Sequence, residues 1–346
     1  MSDSNLSSNG AADAAPGIAV IIPYYNGAAY IERALRSVHA QTVPAAEVVV
    51  VDDGSTPDEA AFLREIQPRY GFTLLRQDNG GQGAARNAGV AASSAPYICF
   101  LDQDDFYLEH HNRILLATIP PDDPRWGFVY GDLWEASGQG EIVRHGMIKA
   151  FGAQPKRDLF DILRKDLFVL PSAMLIRRAA FEAIGGFDTQ FTGYEDDDLC
   201  LRLFRAGYTS PFVDKAVTVW CMHGASTSFN MRMFHSCLRY FKKLAAAFPD
   251  DLKLHHYYMR DCLAARFGHH FVRLAIQAVK TRDPNLPELR AILDEYAAIV
   301  LAHPTVRRRT KLKLRVMRLL AHHGTPWLIG LISALTKLPG LRRLRP

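Results

Sequence analysis

From residue 17 the chain alternates between short, almost wholly apolar runs and longer stretches with apolar residues at helical spacing. GIAVIIP, EVVVVDD, FTLLRQ and YICFL read as strands, while AAYIERALRSVHAQ and the glycine-led GQGAARNAGVAAS read as helices. In the first helix Ile31, Leu35 and Val38 fall close to one face. Strands that are apolar along their whole length need cover on both faces, and strands separated by helices pair mainly in parallel. An α/β fold follows, built on a mainly parallel sheet flanked by helices. Residues 127 to 194 mix strand-like pieces with loops. DDDLCLRLFRAG then forms a helix with Leu199, Leu203 and Phe204 on one side and Gly207 as its stop, and AVTVWCM is a further strand. Beyond about residue 230 the chain is helical in character, with no solenoid-type repeat.

A chain of 346 residues with 48% hydrophobic composition can bury a core in one large domain or two moderate ones. Cys99, Cys200, Cys221, Cys237 and Cys262 show neither C-x-x-C spacing nor a disulfide framework, which fits a reducing compartment. Residues 1 to 16 have no basic segment followed by an apolar one, so a disordered leader and a cytoplasmic protein are expected. The net charge of +5 is uneven: residues 301 to 346 hold eleven Lys or Arg and no acid, leaving 30 basic against 36 acidic residues elsewhere. That acidic body argues against nucleic acid as a partner.

In an open α/β sheet, ligands bind beyond the carboxyl ends of the strands. Tyr24, Tyr25 and Asn26 follow the first strand, Asp52 and Asp53 the second, and Asp102 and Asp104 the fourth, so all are expected along one rim. Aromatic rings beside carboxylates suit a base and its ribose, and carboxylates at i and i+2 suit a hard divalent cation holding phosphates. Alone, such a D-x-D triplet is more often a solvated turn that caps the next helix. No G-x-G-x-x-G follows the first strand, where PYYNG stands instead, which speaks against a dinucleotide-dependent dehydrogenase.

VIIPYYNGAAYIERALRSVHAQT, VVVVDDGST, NGGQGAARNAGV and YICFLDQDD closely resemble the nucleotide-sugar half of family 2 glycosyltransferases, and RRAAFEAIGGFDTQFTGYEDDDLCLRLFRAGY resembles their acceptor half. The resemblance runs from about residue 17 to 225. It implies a GT-A, Rossmann-like fold with a helical C-terminal extension. It also implies an inverting, metal-dependent enzyme that takes a sugar from a nucleotide-diphosphate donor, a UDP-sugar above all. Pro23, Tyr25 and Asn26 then belong to the nucleotide site, with Tyr25 stacked on the base and Asp53 bonding its edge. Asp104 becomes the direct ligand of Mn²⁺ or Mg²⁺, with Asp102 nearer the ribose or behind the ligand. Arg86, in the family's ARN position, goes to the diphosphate or to a salt bridge at the strand ends. His223 of VWCMHG lies near metal and diphosphate.

GYEDDDLCLRL places Glu195, Asp196, Asp197 and Asp198 at a helix start, where the helix dipole favours acids. The resemblance makes Asp196 the general base and Glu195 the second choice, with Asp197 and Asp198 left to capping and solvent. The pairs His110-His111, His255-His256, His269-His270 and His322-His323 read as surface.

The tail puts Leu312, Val316, Leu319 and Leu320 on one helical side and Arg308, Lys311, Arg315 and Arg318 largely on another. WLIGLISAL is too short to span a bilayer, so the expectation is contact with an anionic membrane surface, against a helix packed on the catalytic domain. The chain thus divides into a leader (1–16), a catalytic domain (17–228, with 17–108 for the nucleotide sugar and 109–228 for the acceptor), a helical region (229–305) and a basic amphipathic tail (306–346). The expected protein is peripheral at the inner face of the cytoplasmic membrane and acts on a glycan or lipid-linked acceptor of bacterial surface polysaccharide. A non-catalytic sugar-nucleotide-binding or scaffold protein and a nucleotidyltransferase are the alternatives, the latter lacking a visible Gly- and Lys-rich phosphate loop.

Overall fold

A computed structural model describes residues 17–165, 167–224 and 231–329, so the expected leader and the last part of the tail lie outside the described residues. The chain forms two compact units. The first comprises Met1–Gln154, Val169–Asp188 and Arg202–His223, and the second Pro155–Phe168, Thr189–Leu201 and Gly224–Pro346.

In the first unit, strands β1 (Ile18–Tyr24), β2 (Glu47–Asp53), β3 (Thr73–Gln77) and β4 (Tyr97–Phe100) lie parallel in the order β3-β2-β1-β4. Helices α1 (Ile31–His39), α2 (Pro57–Tyr70) and α3 (Gln82–Ala91) make the crossovers. All seven residues of β1 are buried, as its apolar composition requires of a central strand. Ile31, Ala34, Leu35 and Val38 form the buried stripe of α1. Between β2 and β3 stands a helix that the apolar periodicity does not mark. There α2 starts with Pro57 at its first position and Asp58 and Glu59 in its first turn, and ends on left-handed Gly71. Its apolar face is only Ala60, Leu63 and Ile66, and Pro68 interrupts the pattern. On α3, a Cβ at Gly89 would come within 2.3 Å of Ile21 Cγ2, so glycine there lets the helix lie directly on β1.

The sheet continues through β8 (Met174–Arg177), β6 (Phe128–Ser137), β9 (Phe212–Met222) and β5 (Phe106–Tyr107), with β7 (Ile142–Arg144) paired to β6. It is therefore mixed, its parallel half carrying antiparallel β8, β5 and β7 pairings. Helices α4 (His111–Thr118), α5 (Met147–Ala150) and α7 (Arg178–Ala183) complete this unit. With β2 on one side of β1 and β4 on the other, the crossover direction reverses between them, and the crevice that opens at such a switch point is where α/β sheets bind ligands.

His111 departs from the surface assignment of the histidine pairs. It is fully buried, its ring stacks on Tyr107 at 3.6 Å, and its Nδ1 lies 3.1 Å from the Val217 carbonyl. The hairpin-like return from β5 into α4 turns it inward against β9. Burial, opposed by the Val217 contact, holds its pKa down at about 3.

In the second unit α6 (Leu159–Arg164), the start of α8 (Glu195–Arg205), α9 (Met231–Ala247), a π-turn at Met259–Leu263, α10 (Ala264–Thr281), α11 (Leu286–Ala302) and α12 (Arg308–His323) follow one another. Phe241, Phe267, Phe271 and Tyr296 form its aromatic centre, with Phe241 and Tyr296 rings 5.0 Å apart. Tyr296 donates its hydroxyl proton to the Ala264 carbonyl at 2.6 Å, satisfying the one polar atom such a ring buries.

Candidate active site

The switch-point crevice is built from main-chain turns that side chains hold in place. Beyond β1, Tyr25 donates its backbone N–H to Gln103 Oε1 at 2.9 Å, and Gln103 Nε2 donates back to the Tyr25 carbonyl at 3.1 Å. The residue between Asp102 and Asp104 thus fixes the segment that presents Tyr25, a residue 49% exposed. Asn26 takes a left-handed conformation (φ 48°), donates to Ser55 Oγ and accepts from Thr56 N–H. Pro23 sits inside β1 opposite Val51, and Tyr24, expected on the rim, is buried with its hydroxyl donated to Glu59.

At the end of β2 the two acids have different tasks. Asp52 accepts from Ser55 N–H and pairs with Arg76 at 2.6 Å, closing the turn. Asp53 receives Gln77 Nε2 and Gly80 N–H on Oδ1 and Gly81 N–H on Oδ2, all within 2.7 to 2.9 Å. Its carboxylate therefore shapes the loop that leads into α3.

Antiparallel pairing of Phe106 with Val219 and Tyr107 with Thr218 zips the segment after Asp102 to β9. Continued outward, that register brings the acidic loop alongside Cys221 to His223. His223 Nε2 lies 2.7 Å from Asp104 Oδ2, and the imidazole stacks on Tyr30 with centroids 4.7 Å apart. Arg33 donates to the Asp104 carbonyl at 2.6 Å and to the Gly138 carbonyl at 3.0 Å, tying α1 to the loop from below. Arg86, only 1% exposed, donates to Asp102 Oδ1 at 2.6 Å, which is the salt-bridge option for this residue. Asp105 is buried and receives Cys221 N–H and Ser172 Oγ–H, so the third acid of the run anchors the loop. Burial, then the charges of Asp104 and Asp102, raise its pKa well above the carboxylate range. No local pattern marks Tyr30, Arg33 or Asp105, since their partners His223, Asp104, Gly138, Ser172 and Cys221 lie far along the chain.

The Asp104 carboxyl is likewise raised, by burial first and by the charge of Asp102 second, with His223 opposing. The Asp104 carboxylate is a hard oxygen donor that suits Mn²⁺ or Mg²⁺, and the His223 imidazole beside it is a nitrogen donor. Among the described residues no three His, Cys, Asp or Glu side chains converge as a ready cage. A cation bound through one or two carboxylates completes its shell with substrate phosphates and water, and the residues present fit that mode.

The second acidic cluster opens α8 in the second unit. Gly193 (φ 116°) and Tyr194 (φ 67°) turn the chain into the helix, and a Cβ on Gly193 would meet Met233 Sδ at 2.1 Å. Glu195 is buried and accepts the Gly193 N–H at 2.8 Å. Asp197 and Asp198 are not the capping and solvent acids expected. Both are buried, because α9 and α10 bring cations to them: Arg266 lies 2.9 Å from Asp197, which also accepts Leu167 N–H, and Lys243 lies 2.5 Å from Asp198. Asp196 alone of the four is half-exposed, with Oδ1 accepting Asp197 N–H at 2.9 Å.

The profile described as Glycosyl transferase family 2 matches residues 19–185, and that of the N-terminal domain of galactosyltransferase matches residues 171–225. Residues 19–185 are a glycosyltransferase family 2 domain. An uncharacterized glycosyltransferase of Nostoc sp. is 43% identical over 108 residues, 31% of this chain and 34% of that protein. The succinoglycan biosynthesis protein ExoW of Rhizobium meliloti is 31% identical over 182 residues, 48% of this chain and 57% of its own. The chain spans about a third of the length of several curated relatives it matches. Among solved structures, S. aureus TarS 1-349 in complex with UDP-GlcNAc superposes with a TM-score of 0.66 at 18% identity, covering 92% of each chain. The mannosyltransferase PcManGT from Pyrobaculum calidifontis, in complex with GDP-Man and Mn²⁺, gives 0.51 at 20% identity over 95% of this chain and 88% of its own. At these identities the likeness establishes the fold, the GT-A type of glycosyltransferases. The five cysteines are buried and unbridged, and no helix among the described residues is long and apolar enough to cross a membrane.

Proposed function

We propose that this glycosyltransferase is metal-dependent and inverting, and that it transfers a sugar from a UDP-sugar to a hydroxyl of a glycan or lipid-linked acceptor. The setting is bacterial surface polysaccharide synthesis at the inner face of the cytoplasmic membrane. The observation that carries the reading is the meeting of Asp104 and His223, 2.7 Å apart, at the switch-point crevice beside Tyr25. The succinoglycan name of ExoW and the UDP-GlcNAc held by TarS support the substrate class.

In this reading the Tyr25 ring stacks on the uracil, and Asp53 uses the remaining capacity of Oδ2 to accept the base N–H. Pro23 and Asn26 hold the turn that presents Tyr25, and Asp102, oriented by Arg86, accepts a ribose hydroxyl. A divalent cation held by Asp104 and His223 would neutralise charge developing on the leaving diphosphate. Asp196 removes the proton of the acceptor hydroxyl as that oxygen attacks the anomeric carbon opposite the diphosphate, which inverts the centre. Its exposure favours it over Glu195, whose carboxylate is buried against Gly193.

The test is hydrolysis of a panel of nucleotide sugars by the purified protein, with and without Mn²⁺. Cation-dependent release of UDP from one UDP-sugar is expected. UDP binding with no hydrolysis or transfer from any donor would make the protein a non-catalytic sugar-nucleotide binder instead.

A further inference from the structure

Helix α12 is anchored by little of its surface. Leu314 and Ala321 are its buried residues, whereas Leu312 and Leu319 are 62% and 60% exposed, Val316 is also exposed, and Trp327 just beyond the helix is 74% exposed. At 100° per residue, Leu319, Leu312 and Val316 occupy an arc of about 60° on the side away from Leu314. Arg308 and Arg315 border that arc on one side and Arg309 on the other. The pattern is the reverse of a helix packed by its apolar stripe: aliphatic side chains face water with positive charge on both sides.

Among the described residues those charges have no carboxylate partner. Arg308, Arg309, Lys311 and Arg315 form no ion pair among the described residues, while Arg318 and His322 are occupied by Asp294. Next to the arc, Leu301, Arg315, Arg318, Leu319, His322 and His323 line a cleft of about 510 Å³ between the end of α11 and α12.

We propose that the outward face of α12, together with Trp327, is the docking surface for an anionic phospholipid bilayer. The proposal deepens the reading of an enzyme at a membrane and rests on it for its purpose, but its residues lie outside the donor site. Charge complementarity selects the occupant. The chain beyond residue 329 carries four more Lys or Arg and no acid, so it is mismatched as a cover for this face. A second copy would bring the same positive charges together. A nucleic acid would answer the charges but leave the aliphatic arc in water. A bilayer takes both: the leucines and valine enter the acyl boundary, Trp327 sits at the headgroup level, and the arginines and Lys311 meet phosphates.

The test uses the full chain and vesicles of phosphatidylglycerol or phosphatidylcholine. The protein should sediment with the anionic vesicles alone at low salt and be released by 1 M salt, and Trp327 emission should shift to the blue and be quenched by brominated lipid. Changing Arg308, Arg309, Lys311 and Arg315 together to Gln should weaken binding by about two to three orders of magnitude, at roughly fivefold per charge. The exposed triple Leu312→Ser, Val316→Ser, Leu319→Ser should abolish sedimentation while UDP affinity stays that of the parent. The proposal falls if the parent stays in the supernatant, if the triple variant still sediments, or if duplex RNA displaces the vesicles stoichiometrically. It falls equally if the triple variant turns a dimer into a monomer without lipid, or loses UDP binding. Vesicle binding without nucleotide-sugar hydrolysis would leave this surface standing and remove the function reading.

Discussion

Replacing His111 by Phe should flatten the acid dependence of stability. The buried imidazole is held neutral, with a pKa near 3 in the fold against an ordinary value of 6.5, and burial is the cause. A histidine whose pKa is depressed on folding contributes stability that is complete above about 6.5 and is lost as the pH falls toward 3. Between pH 7.5 and pH 5 the unfolded imidazole takes up its proton and the folded one does not, which costs about 2 kcal/mol at 1.36 kcal/mol per pH unit. Phe retains the ring stacked 3.6 Å from Tyr107 but leaves the Val217 carbonyl without a donor, a penalty of about 1 to 3 kcal/mol that is the same at both pH values. Comparing parent and variant at both pH values cancels every other titrating group. By scanning calorimetry the parent should lose about 4 to 8 °C more than the variant on going from pH 7.5 to 5, at about 2 to 4 °C per kcal/mol for folding units of 150 to 250 residues. An equal loss in both proteins would mean that His111 is charged or hydrated in the fold, and the argument from burial would be wrong.

Asp196→Asn should keep donor binding and lose transfer by about 10²-fold or more, measured with a saturating donor; if Glu195→Gln is the inactive variant and Asp196→Asn is not, the roles within the pair are reversed. Arg266→Met leaves Asp197 buried without its cation and should destabilise the second unit by about 3 to 5 kcal/mol, read from its melting transition. Adding Asp197→Leu should recover part of that loss, because two apolar side chains replace an uncompensated charge; no recovery would mean that the pair is not a closed ionic contact.

Much of the parallel half of the sheet is visible in the sequence because β1, β2 and β4 are apolar on both faces, and only a strand covered on both sides tolerates that. The clusters at the strand ends are visible for the same reason: Asp53, Asp102 and Asp104 stand where an apolar run stops, and charge there has to face a ligand, a cation or water. Helix α2 escapes because its buried face is three residues and carries Pro68. His111, Asp197 and Asp198 escape for a different reason. Local pattern gives them polar neighbours and a helix start, whereas their burial is decided by Val217, Arg266 and Lys243, between 45 and 106 residues away. The same holds for Arg33, whose contacts with Asp104 and Gly138 arise only when α1 is laid under the loop. In α12 the sequence shows the two faces, and only the packed helix shows that the aliphatic one is turned to water.

The central claim is that the acids at the end of β4 hold a divalent cation against the donor diphosphate, and calorimetry of UDP binding with Asp104→Ala tests it most directly. Asp104 is partly exposed at a strand end, so its truncation opens no core cavity and the melting temperature serves as the control for folding. The account predicts that the parent binds UDP more tightly when Mn²⁺ is present and that the variant loses this Mn²⁺-dependent part while remaining folded. A folded variant whose UDP affinity still rises with Mn²⁺ as the parent's does would contradict the account.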